Sequence, residues 1–175
     1  MVTRKQLNNP LSMKTPVSYF GTIDSDTFHQ SYGARITLEN HEVFLDLNFY
    51  TVSPESDGWA NICNSYLENL SAYKQAVETA ILKNFKENGE ARKYINFHLK
   101  ELSSNTLKKM MHPTDASQPN DERLLSLLQL KRIGFYPGDS IYAVWDYTLG
   151  WQYTDQLLVG NTDNRGLVKY ISWES

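Results

Sequence analysis

Apolar and polar residues alternate with a period of two near both ends of this chain, and between those stretches apolar residues recur every three to four positions. The first pattern predicts strands over Val17–Ile23, Ala34–Leu38 and Val43–Tyr50. Glu39-Asn40-His41-Glu42 joins the second and third as a tight hairpin. In Val43–Tyr50, Val43, Leu45, Leu47 and Phe49 point one way, while Asp46 and Asn48 point the other. That is a strand buried on one face, with Asp46 on its polar side.

The pattern then changes period. Trp59, Ile62, Cys63, Tyr66, Leu67 and Leu70 follow helical spacing, with Ser53 or Asp57 ahead of them as caps. Ser71 is placed to cap a second helix carrying Val77, Ala80, Ile81 and Phe85, which ends near Asn88-Gly89. A third presents Tyr94, Ile95, His98, Leu99 and Leu102, and a short fourth carries Leu107, Met110 and Met111. The run from His112 to Asn120 holds two prolines and no apolar pattern, so it reads as a loop, and Asp121–Leu128 as a brief helix. Strands return over Leu130–Tyr136, Ser140–Thr148, Tyr153–Gly160 and Leu167–Trp173. Strands first, helices in the middle and strands last predict an α+β domain over residues 17–175. Its sheet is mostly antiparallel, built from N- and C-terminal strands, with the helices on one face. Residues 1–16 are polar, interrupted by proline, and read as a mobile arm.

Charge adds a partner class to this outline. The net charge of −3 is far from the basic balance of a nucleic-acid binder, so no nucleic-acid partner is expected. Its distribution is uneven: residues 20–71 carry eight acids against Arg35 alone. An acidic surface steers a basic partner. Eleven Tyr and four Trp supply large, stiff contact area, which favours an interaction protein. No apolar run has the length of a membrane span or the form of a signal peptide, so neither a membrane partner nor export is expected and the cytoplasm is the expected compartment. Cys63 is the only cysteine, within an apolar helical stripe, and reads as a small core residue.

Candidate chemistry is sparse. The four histidines, His29, His41, His98 and His112, show no zinc-ligand spacing, and no nucleophile elbow or glycine-rich phosphate loop is present. No catalytic residue, metal site or cofactor is expected. Asp146 and Asp155 flank one turn and, in register, would sit close enough for an acid/base pair or a hard cation, with His98 as a third group. Tyr147, Trp151 and Tyr153 cluster around the same connection. Asp46, Asp146, Tyr147, Trp151, Tyr153 and Asp155 therefore form the candidate interaction surface, with Trp151 expected to be exposed.

The final run, DYTLGWQYTDQLLVGNTDNRGLVKYISWES, resembles a family of small bacterial proteins. Its members close with DYTIG-x-x-x-TD-x-LLVV, an acidic turn and I-x-x-ISxES. ILKNFKENGEARKYINFHLKEL and LDLNF are similar to the same family, the bacterial domain of unknown function numbered two thousand and four. Trp151 and Gly160 depart from its pattern. The resemblance implies a bacterial source and a single α+β domain, and carries over no activity and no catalytic residue. By analogy with other small acidic bacterial proteins, the expected role is a non-enzymatic protein-binding domain, specifically an immunity protein neutralising a basic toxin domain. The alternatives are a hydrolase or cation-dependent enzyme using Asp146 and Asp155, and a subunit that self-associates through a sheet edge. No feature of the sequence specifies an oligomeric state.

Overall fold

Two antiparallel blocks of strands, one from each end of the chain, meet along a single parallel seam. The structure, a computed structural model, describes residues 13–175. Strands β1 (Lys14–Val17) and β2 (Gly21–Asp24) form a separate two-stranded hairpin. Strands β3 (Ser31–Leu38) and β4 (His41–Asn48) follow. Helices α1 (Trp59–Glu68), α2 (Leu70–Lys86), α3 (Glu90–Glu101), α4 (Ser104–Met111) and α5 (Asn120–Leu125) occupy the middle. Strands β5 (Gln129–Phe135), β6 (Ala143–Thr148), β7 (Leu157–Thr162) and β8 (Val168–Glu174) complete the chain. The main sheet has six strands in the order β3-β4-β5-β6-β7-β8, every pair antiparallel except β4 with β5. A parallel join needs a long crossover, and the five helices supply it. The fold is the expected α+β domain.

Four expectations need correction. Val17–Ile23 is not one strand: the chain reverses at Tyr19 (φ +67°) and Gly21 (φ +80°) and pairs with itself outside the main sheet. Asn64 of α1 holds this hairpin, accepting from Ser18 N at 2.9 Å and donating to Pro16 O at 3.2 Å. Of the arm expected over 1–16, residues 1–12 lie outside the described residues, while Lys14–Pro16 belong to β1. His41 and Glu42 belong to β4, because Glu39 and Asn40, both at positive φ, make the turn alone. Tyr153–Gln156 is a turn ahead of β7, closed by Tyr153 N and Thr154 N donating to Gly150 O.

The core lies between the helices and one face of the main sheet. Leu45, Ile133, Trp145 and Leu158 are fully buried there, each residue's removal from water contributing about 1.5–3 kcal/mol. A helix seats closely on this face because Gly160 has no side chain: a Cβ there would stand 2.4 Å from Val77 Cγ1 of α2. Several polar groups inside the core are matched, although the hydroxyls of Tyr142 and Tyr147 have no partner among the described residues. Trp145 Nε1 donates to Tyr66 Oη at 3.1 Å, and Tyr66 Oη lies 2.6 Å from Thr162 Oγ1. Cys63 is part of this core, and burial pushes its thiol up to about 11, so it is protonated and unreactive at neutral pH.

Candidate docking surface

Alternation places opposite residues on the second face of the sheet. In register across it stand Arg35, Phe44, Arg132, Asp146, Val159 and Ser172, one from each strand. The contacts of α1, α2 and α3 with the sheet fall on the other face, through residues such as Val77, Tyr94 and Phe97. An irregularity in β5 between Leu130 and Arg132 resets the register, which brings Arg132 opposite Asp146.

Three charges meet at the centre of this row. Arg132 donates through one terminal nitrogen to Asp146 Oδ2 at 2.8 Å, and through the other to Asp46 Oδ2 at 2.8 Å and Tyr136 Oη at 2.9 Å. Asn48 Nδ2 donates to the same Asp46 oxygen at 2.8 Å. Asp46 Oδ1 is buried and has no hydrogen-bond partner among the described residues. The guanidinium lies along its own strand only because position 134 is glycine: a Cβ at Gly134 would stand 2.6 Å from the Arg132 terminal nitrogen. Burial opposes the Arg132 charge, but its bonds to Asp46, Asp146 and Tyr136 outweigh that and hold it above the ordinary guanidinium range. Burial raises the Asp146 carboxyl above its usual range, Arg132 opposes that, and Glu174 and Asp46 add to it. Two carboxylates share one cation, so the centre carries a net charge of −1; Glu174 extends the acidic character along this face, while Glu42 is paired with Arg35 at 2.6 Å. Phe44 and Tyr170 on the same face are exposed, as is Tyr50 at the end of β4, which stacks on Tyr136 with centroids 6.1 Å apart.

The six residues expected to form one surface separate into three places. Asp46 and Asp146 come together through Arg132. Trp151, 59% exposed, and Tyr153 and Asp155, both exposed, lie in the β6–β7 connection. Tyr147 is a correction: the pleat turns it to the helical side, where it is 1% exposed. The Asp146–Asp155 pair is likewise not formed. Asp146 faces Val159 across the ladder, four residues beyond Asp155, on the order of 13 Å of extended chain. His98 joins neither acid. Its Nδ1 donates to Tyr94 O at 2.8 Å and its Nε2 lies 2.8 Å from Thr154 Oγ1, so both nitrogens are occupied within the core. Burial lowers its pKa below the ordinary value, and the bond to Tyr94 O only partly opposes this.

Sequence reasoning missed Arg132. A basic residue inside a strand run, two positions before a glycine, was the available signal. The bulge concealed which face it takes. Among the described residues no three His, Cys, Asp or Glu side chains converge as a metal site requires, and no helix is long and apolar enough to cross a membrane. Comparison with protein-family models, curated proteins and solved structures gave no match.

Proposed function

We propose that the chain is a non-enzymatic protein-binding domain that docks a basic partner on the second face of its sheet, and that it acts in the cytoplasm as an immunity protein for a basic toxin domain. The observation that carries this reading is Asp46 Oδ1, a carboxylate oxygen without a partner among the described residues, in a centre whose two acids outnumber their single cation. A lysine or arginine from a partner completes it once the carboxylate turns that oxygen outward, because a desolvated carboxylate gains most from a charged donor. The exposed rings of Phe44, Tyr50 and Tyr170 provide apolar contact around that ion pair. The family resemblance of the C-terminal run belongs to the same proposal and supports a bacterial setting.

The test is binding to the basic product of the neighbouring gene, measured by calorimetry across a salt series. Association is expected to weaken as salt rises, and Asp46→Asn to weaken it at least about tenfold. Binding that ignores both salt and Asp46→Asn overturns the reading. The competing reading is self-pairing through β3 or β8, each of which pairs on one side only among the described residues. A concentration-independent monomer mass in light scattering disposes of it.

A further inference from the structure

A second feature lies on the opposite side of the molecule and is independent of the docking surface. The C-terminal half of α2 and the segment around α5 enclose a groove of about 680 Å³, within the range that holds small organic ligands. Ile81, Leu82 and Phe85 form one wall, Leu125 and Leu128 the other, and Tyr147 reaches its floor from β6. The far wall is fixed in place. Arg123 ties α5 back to the preceding loop, donating to Thr114 Oγ1 and to Met111 O, both at 2.9 Å. Leu82 stands at the lip, 49% exposed.

Tyr147 Oη has no hydrogen-bond partner among the described residues although the residue is 1% exposed. A buried hydroxyl left unpaired is costly, and a phenylalanine would fill the same space without that cost. We propose that this groove binds a small, uncharged, largely apolar molecule carrying a hydrogen-bond acceptor, such as a ketone or ester carbonyl, that takes the Tyr147 O–H.

The charge around the hydroxyl selects that chemistry. Burial raises the Tyr147 pKa above the usual phenol range, and the carboxylates of Glu78 and Glu39 raise it further, so the group remains an O–H donor. The same two carboxylates are held in place by Lys74, each at 2.7 Å, and repel an anion placed at the hydroxyl itself, although Lys86 and Arg123 also line the groove. A neutral acceptor satisfies the donor without meeting that repulsion. The hydroxyl is closed to water as the groove stands, so binding includes a side-chain rotation in the floor.

The test titrates the isotope-labelled full chain with 1-indanone and, in parallel, with indane, which has the same rings and no carbonyl. Amide resonances of residues 81–85 and 125–128 are expected to shift saturably with 1-indanone, and to do so at lower concentration than with indane. Tyr147→Phe removes an unpartnered group and preserves the fold. It is expected to weaken 1-indanone about two- to tenfold, the worth of one neutral hydrogen bond, and to leave indane unchanged. Leu82→Trp, at an exposed position, fills the mouth and is expected to abolish both. Shifts located elsewhere, or 1-indanone that binds no better than indane or equally well to Tyr147→Phe, overturn the proposal.

Discussion

Arg132 shows how one side chain sets the character of a whole surface. It bridges two carboxylates across three strands while keeping 30% of its side chain exposed. Replacing it with leucine leaves Asp46 and Asp146 facing each other with no cation between them. Arg132→Leu is expected to lose about 2 kcal/mol in chemical denaturation, less than a fully buried pair because water partly compensates. Adding Asp46→Asn and Asp146→Asn to that variant is expected to recover most of the loss, since the repulsion goes with the charges. His98 gives a pH signature of a different sign from a surface histidine. Its folded pKa lies below the ordinary 6.5, so the unfolded chain takes up the proton first. The stability it contributes is intact above 6.5 and is lost as pH falls from there through the lowered folded-state value. Thermal melts between pH 7 and pH 5 are expected to show that loss, and His98→Gln to flatten it.

At the scale of elements, the closest helix–sheet contact depends on Gly160 meeting Val77, a β-branched side chain that is fully buried and stiff. Gly160→Ala is expected to cost about 1–3 kcal/mol by overpacking. Combining it with Val77→Ala is expected to cost less than the two single losses added, measured as a double-mutant cycle in urea. Elements such as β4 and α1 were legible in the sequence because one face of each is buried and its period shows. The parts that were not legible depend on backbone events that leave little trace in residue type. Tyr19 at positive φ splits the first strand, Gly150 delays β7, and an extra residue in β5 carries Arg132 to the second face. The candidate site was half legible for the same reason. Asp46 and Asp146 stand out as acids in strands, while their shared partner is hidden by the bulge and Tyr147, expected on the candidate surface, lies in the core.

For the whole molecule, the sheet divides its surroundings into two kinds of surface. One side carries the charged row, and the other carries the helices and the groove above Tyr147, so occupation of either leaves the other accessible. The seam between β4 and β5 adds a constraint in time. During translation β4 leaves the ribosome roughly eighty residues before β5 exists, which at ~5–20 residues per second is on the order of 4–16 seconds. Throughout that interval the nascent hairpin shows an unpaired edge beside Val43, Leu45 and Leu47. Such an edge templates pairing with any extended chain nearby. Crowded synthesis of this protein therefore favours intermolecular strand exchange, and chaperone capture of the half-made chain protects its yield more than any gain in final stability.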